Sequence, residues 1–442
     1  MIALVGGTTA TLDPPRVEKA DVVIDHDRIV QVGGEIPSHA SRVDASGCLV
    51  MPGFVVGHTH LYSALACGMP PPAVPPTTFL EILQRVWWKL DRALDDTLVE
   101  VSAMAGAIEA AKRGVTCVID HHASPNAIDG SLDRIASALG QVGIRGILCY
   151  ETSDRDGRER RNAGLTENHR FAKRCREDKS LPLRAMFGAH APFTLEDDTL
   201  AELSTQASWT GAPLHIHVAE GPDDGDDAAK RGTTVGARLL SAIGPGGIVA
   251  HAVHLDAETR ATLERAGVWV VTNARSNMTN AVGLAPPSGS RVAMGTDGIG
   301  ADMIAEAQAH FFRHAEAKDG LAMDAIARIV GAQKLAARRF DGEERAPRIA
   351  AGERADLVVL AYDPPTPLTA DNLAGHFLFG LTSACVRDTI AGGRFVLKHG
   401  VVQGIDTQAF AAKARVEAAR LWSRMDGASA ASAARSTPGK LS

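Results

Sequence analysis

Gly53-Phe54-Val55-Val56-Gly57-His58-Thr59-His60 is a short apolar run that ends in a His-x-His pair. In a strand, residues i and i+2 point to the same side, so both imidazoles can reach one ion. Alone, the pair reads better as two polar loop histidines than as metal ligands. Three further runs change that reading. Residues 213–217 end in His215-Ile216-His217 and lead into Val218-Ala219-Glu220, residues 247–250 lead into His251, and residues 292–298 carry Asp297. Strands with metal-capable or acid/base residues at their ends, far apart in sequence, act together only if those ends converge. A parallel β/α barrel delivers the C-terminal ends of all its strands to one face.

Runs at residues 114–119, 144–150, 183–188 and 267–271 bring the number of strand candidates to eight. Glycine opens several of them, as tight turns from helix to strand require. The stretch 53–344 has room for a barrel, which typically needs about 250 residues. Residues 21–25 and 29–33 form a hairpin pattern around His26-Asp27-Arg28, and residues 355–360, 385–390 and 394–397 form a matching late set. The predicted fold is therefore α/β: a distorted (β/α)8 TIM barrel over 53–344, with a small composite β-sandwich built from 1–52 and 345–405. Residues 406–442 are expected to form a C-terminal helix and a flexible tail, disordered from Gly427 onward.

An insertion follows His60. Residues 68–76 hold five prolines and read as a stiff, extended loop. Thr78-x-x-Glu81 is a capping box, and Leu80, Leu83, Trp87, Leu90 and Leu94 then follow helical spacing. Such an insertion on the catalytic face forms a lid. Helical spacing makes at least one of Trp87 and Trp88 a core residue, and we assign Trp88 to the pocket wall.

A formal charge of −6 argues against nucleic acid as the main ligand. No apolar window approaches the roughly 18 residues of a membrane span, and the N-terminus has no signal-peptide pattern. The six cysteines are scattered without a C-x-x-C pair, so disulfides and a thiolate zinc site are not expected. A reducing cytoplasm is the expected setting.

Three neutral imidazoles and one carboxylate suit a divalent zinc, iron or manganese ion with a position left for water. The chain resembles the amidohydrolase superfamily, in its cytosine-deaminase and chlorohydrolase branch. The motifs that carry this are Met51-Pro52-Gly53-Phe54 before His58-Thr59-His60, the His215-to-Glu220 string, Ala250-His251-Ala252-Val253-His254, Gly295-Thr296-Asp297 and Gly352-Glu353-Arg354-Ala355-Asp356. It is most similar to the SsnA-like aminohydrolases, through Asp120-His121-His122-Ala123-Ser124-Pro125, Glu151-Thr152-Ser153-Asp154-Arg155, Gly188-Ala189-His190-Ala191-Pro192-Phe193 and Asn273-Ala274-Arg275-Ser276-Asn277.

That resemblance implies that His58, His60, His217 and Asp297 hold one metal ion, zinc first, with iron or manganese as alternatives. The fourth strand has no lysine, so the one-metal arrangement is preferred over the two-metal one. Catalysis is implied for Glu220 as proton shuttle, His251 facing the developing oxyanion, and Asp297 as acceptor of the water's proton. The bland reading of Glu220 is the start of a solvated acidic loop, since Asp223, Asp224, Asp226 and Asp227 follow. His190 is expected to contact substrate. Of His121 and His122, alternation sends one inward, and we read His122 as the pocket-facing one. Glu151 is assigned to reading substrate N–H groups, Arg275 to an anionic substrate group, and residues 154–161 to a solvated loop.

The seventh-strand segment departs from the family's His-Cys-Pro or His-Asn pattern, which leaves its part in substrate recognition open. The implied reaction is hydrolytic deamination of a purine, pyrimidine, pterin or triazine-like ring. Cyclic-amide ring opening and dechlorination are the alternatives, and an inactive metal-binding interaction protein is the reading outside catalysis. A small nitrogen heterocycle is the expected partner, and a homodimer or larger homo-oligomer the implied assembly.

Overall fold

Parallel strands covered by helices are buried on both faces, and the apolar runs behave accordingly. In the computed structural model, which describes residues 1–284 and 289–435 with side chains through Met425, the runs form the eight barrel strands. They are β1 (Phe54–Thr59), β2 (Val115–His122), β3 (Arg145–Thr152), β4 (in two pieces, Leu183–Ala185 and Phe187–Ala189), β5 (Leu214–Val218), β6 (Ile248–His251), β7 (Trp269–Thr272) and β8 (Val292–Met294). Each pairs with the next in parallel, in sequence order. An isolated parallel bridge between Thr59 and Asp297 joins the two ends of the sheet.

Alternation along these strands fills the lower barrel with Val55, Ile119, Ile147, Trp269 and Val271. Ala332, Leu335 and Ala336, from the helix Asp324–Asp341, pack onto the same cluster. The histidines and carboxylates at the strand ends occupy the opposite end.

The two chain ends meet as the sequence implied. Leu357–Ala361 pairs antiparallel with Cys48–Pro52 in a seven-stranded sheet. A second sheet of four strands comes from residues 2–44 alone. Leu4, Val22 and Ile24 of the small sheet share one buried cluster with Val50, Leu357, Val359 and Ile390 of the large one.

The insertion folds as the helix Phe79–Ile82, a wide π turn at Leu83–Trp87, and the helix Trp88–Ala93. Thr78 Oγ1 accepts from the Glu81 amide at 3.2 Å. The Glu81 carboxylate returns to the amide of Thr77, at 2.7 Å, rather than to that of Thr78. π turns add a residue to the helical repeat and recur at functional sites. Trp87 and Trp88 both line one cavity, and Trp87 also packs against the main hydrophobic core, as helical spacing had suggested for one of the pair.

The C-terminal helix runs over Thr407–Arg435. Residues 436–442, the end of the expected flexible tail, lie outside the described residues. The Trp422 indole donates to the Leu65 carbonyl at 2.9 Å, and Arg420 and Arg424 pair with Asp95 at the end of the insertion. Among the described residues no helix is long and apolar enough to cross a membrane.

Gly331, inside the helix Asp324–Asp341, marks the closest approach of helix to barrel: a Cβ there would lie 1.8 Å from the Val292 carbonyl oxygen. Alanine gains about 1 kcal/mol of helix propensity over glycine, but forcing the helix off β8 costs on the order of 1–3 kcal/mol. Gly331→Ala should therefore lower the thermal midpoint in calorimetry.

Candidate active site

The strand ends aim their side chains inward through turns that most residues avoid. Ala219, His251, Ala252 and Asp297 all adopt left-handed backbone, with φ between 49° and 71°. Such conformations cost of order 1–3 kcal/mol each and persist where the surrounding structure enforces them. Their effect is to swing Glu220, His251 and Asp297 from three strand ends toward one point.

His58, His60, His217 and Asp297 each offer a ligand atom, and those atoms all lie within 4.8 Å of one another. His60 Nε2 is 2.9 Å and His58 Nε2 3.6 Å from Asp297 Oδ1, and His217 Nε2 is 3.2 Å from His60 Nε2. The far nitrogen of each ring has a partner behind it. His60 Nδ1 donates to the His121 carbonyl at 2.6 Å and His217 Nδ1 to the His190 carbonyl at 2.9 Å. His58 Nδ1 lies 2.8 Å from His215 Nε2. With Nδ1 as donor, each ring presents its Nε2 lone pair to the centre, the arrangement metal-binding histidines require.

His58 Nε2 is buried and makes no hydrogen bond. An orphaned nitrogen of this kind, among rings oriented alike, fits a cation. Burial pushes His58 down to about 3 and His217 well below its ordinary value, so both stay neutral as ligands must. Burial would raise Asp297, but the His58 and His60 rings beside it outweigh that and hold its carboxyl well below the usual carboxylate range.

A second set adjoins this one. His251 Nε2 is 3.4 Å from Glu220 Oε2 and 4.0 Å from Asp297 Oδ2. Its Nδ1 is held by Asn277 Oδ1 at 2.9 Å. Asn280 donates to Glu220 Oε1 at 3.1 Å, and Ser276 donates to Asp297 Oδ2 at 2.5 Å. Burial pushes the Glu220 carboxyl up to about 7, with Asp297 adding to the rise and His251 opposing it.

Asp224 is not part of a solvated acidic loop. It is buried, and its two oxygens accept from the Ala219 and Phe193 amides at 2.6 and 2.9 Å, which fixes the turn that carries Glu220.

Above the two sets lies a cavity of about 280 Å³. Phe79, Leu83, Trp87, Trp88 and Asp91 of the insertion roof it, while Glu151, His190, Glu220 and Asp297 line its floor and walls. Trp88 also lines it, so Glu151, His190 and Trp88 all border the cavity. His122 does not. It is wholly buried between Tyr62 and Tyr150, with Nε2 on Ser124, because the odd positions of β2 face the barrel axis. His121 is the inward one, with Nδ1 3.2 Å from Glu151 Oε2 and Nε2 on the Ala189 and His215 carbonyls.

Arg275 does not reach the cavity either. It is bound to Glu306 at 2.5 Å and to the Ile299 carbonyl. Residues 154–161 are only partly a solvated loop, since Arg155 is buried against Asp91 and over the Trp88 ring at 5.2 Å. Asp91 itself escaped the sequence reading, although it lies one helical turn beyond Trp87 and Trp88 on the same face.

Fold and site together define a barrel hydrolase that gathers metal-capable and proton-handling groups beneath an aromatic roof. The amidohydrolase family model matches residues 49–396, and the chain belongs to that family. It is 28% identical over 437 residues to a 5'-deoxyadenosine deaminase of Methanopyrus kandleri, covering 92% of this chain and 96% of that protein. It is 30% identical over 404 residues to a 5-methylthioadenosine/S-adenosylhomocysteine deaminase of Thermococcus onnurineus, covering 86% and 90%.

Among solved structures, an adenosine deaminase from Xanthomonas campestris with bound zinc superposes with a TM-score of 0.81 at 22% identity, covering 95% of this chain and 98% of that one. An atrazine chlorohydrolase from Arthrobacter aurescens, complexed with zinc, superposes with a TM-score of 0.78 at 19% identity, covering 95% and 100%. The chain is thus a hydrolase acting on carbon–nitrogen bonds.

His215 stands behind His58 and is wholly buried. Replacing a partner of this kind typically weakens metal affinity about 10–100-fold. Chelator competition on His215→Leu should show a loss of that size while circular dichroism stays unchanged.

Proposed function

We propose that this chain is a metal-dependent aminohydrolase that replaces the exocyclic amine of a nitrogen heterocycle with oxygen and releases ammonia. The adenine-type nucleosides named for its relatives are the first class to test. One observation carries the reading: Glu220, His251 and Asp297 converge beside the His58–His60–His217 group, with the Glu220 carboxyl poised near neutrality. Bound there by His58, His60, His217 and Asp297, a divalent ion of the zinc, iron or manganese kind would lower the pKa of water from about 15.7 toward about 7.

The chain's own groups handle the protons and charge. Asp297 Oδ2, held by Ser276 and facing His251, accepts the proton that the attacking water gives up. His251, oriented by Asn277, faces the oxygen on which negative charge develops as the ring carbon becomes tetrahedral. Glu220 delivers a proton to the neighbouring ring nitrogen, the proton held by Asp297 passes to the amine as its bond to carbon breaks, and the proton of the new hydroxyl returns to Glu220 as the oxo group forms. Water and amino-heterocycle thereby give the oxo-heterocycle and ammonia. The roof of Phe79, Leu83, Trp87 and Trp88 excludes bulk water and offers flat surfaces to a planar ring.

Ammonia release across a panel of amino-heterocycles tests the proposal, and a panel from which none releases ammonia, while cyclic amides or chloro-heterocycles are hydrolysed, contradicts it. Glu220→Gln keeps the size and loses the proton, so kcat should fall about 10²–10⁴-fold, the usual range for a lost general acid. Metal content, read by elemental analysis, should stay the same.

A further inference from the structure

Resting on the deaminase reading, the distribution of charge around the cavity says which substituents the heterocycle can carry. Asp91, Glu151, Glu220, Asp223, Asp224 and Asp297 all line it, and among the described residues no lysine or arginine does. Two of the six are occupied by the chemistry already described. Asp224 uses both oxygens on backbone amides. Glu151 faces His121 at 3.2 Å and His190 at 3.8 Å.

The remaining two, Asp91 and Asp223, complete the acidic lining. Asp91 is 1% exposed, gives Oδ2 to Arg155, and leaves Oδ1 buried without a partner. Asp223 Oδ2 is likewise buried without a partner, on the side of the cavity where Gly221 meets Phe79.

The nearest arginine is withheld from the cavity. Arg155 is enclosed by Asp91, Asp156 at 3.6 Å and Glu151 at 3.8 Å, and the Trp88 ring covers its guanidinium at 5.2 Å. Arg275, the other candidate the sequence offered, is bound to Glu306 away from the cavity. An anionic substituent would therefore enter a space lined by carboxyl groups, with no lysine or arginine side chain among the described lining residues. An ammonium would meet groups of opposite charge there.

We propose that this site takes heterocycles whose substituents are neutral or cationic hydrogen-bond donors, and discriminates against those bearing a carboxylate or phosphate. Asp91 and Asp223 are the specificity-determining residues.

The test uses metal-loaded protein and three probes that share one ring: adenosine, 5′-amino-5′-deoxyadenosine and adenosine 5′-monophosphate. The cationic probe should match or exceed adenosine in kcat/KM, and the phosphate should fall about 100-fold or more below it, since like charges facing each other in a desolvated site are strongly disfavoured. Asp223→Lys should narrow that gap about tenfold. Equal kcat/KM for adenosine and its phosphate, or an unchanged gap in Asp223→Lys, overturns the charge inference and leaves the deaminase reading standing.

Calorimetric binding of the same probes to Glu220→Gln keeps the two apart if turnover is absent. Binding in the order cation, neutral, anion supports the charge inference, while failure of the unsubstituted, metal-loaded protein to release ammonia from any amino-heterocycle sinks the deaminase reading. Binding of the phosphate as tightly as adenosine, or of none of the three, sinks the charge inference.

Discussion

The seam between β8 and β1 closes the barrel and assembles the centre in a single step. The His58 carbonyl accepts from the amides of Thr296 and Asp297 at 2.9 and 3.1 Å, and the His60 amide and Thr59 hydroxyl donate to the Asp297 carbonyl at 3.3 and 2.9 Å. The residues that make this seam are the same ones whose side chains meet above it. A shift in its register would separate Asp297 from His58 and His60 while also opening the sheet. Barrel closure and site geometry are therefore one constraint, and the left-handed backbone at Asp297 is the local distortion that satisfies both.

Everything else around the centre secures orientation. Backbone carbonyls of β2 and the β4 end hold His60 and His217, while a second imidazole holds His58. Rings locked from behind lose little conformational freedom on taking up a ligand. The insertion adds a roof, and the C-terminal helix clamps that roof through Trp422, Arg420 and Arg424. A segment far from the chemistry in sequence thus stabilises the cavity wall. Arg155 ties the same roof to β3 by pairing with Asp91 and lying near Glu151.

Much of this was legible in the sequence because it follows from period and punctuation. Apolar runs with glycine starts and polar ends become barrel strands, and the late strand that pairs with Cys48–Pro52, Leu357–Ala361, is a short apolar run of the same kind. The four metal-capable residues were legible because each sits at the end of such a run. What failed to show depended on tertiary geometry. Choosing between His121 and His122 requires the phase of β2 relative to the barrel axis, which the adjacent pair does not encode. Burial of Arg155 and Asp224 depends on partners 64 residues away in one case and on backbone amides in the other, so both look like solvated charge in one dimension. The π turn, which brings both Trp87 and Trp88 to the cavity, has no clear mark in the spacing of the leucines.

Anomalous diffraction at a transition-metal edge, from crystals of the metal-loaded protein, would locate the ion directly. The account predicts one peak about 2.0–2.2 Å from Nε2 of His58, His60 and His217 and from an oxygen of Asp297. A peak held instead by His121 and Glu151, or none with a fully folded barrel, would contradict it.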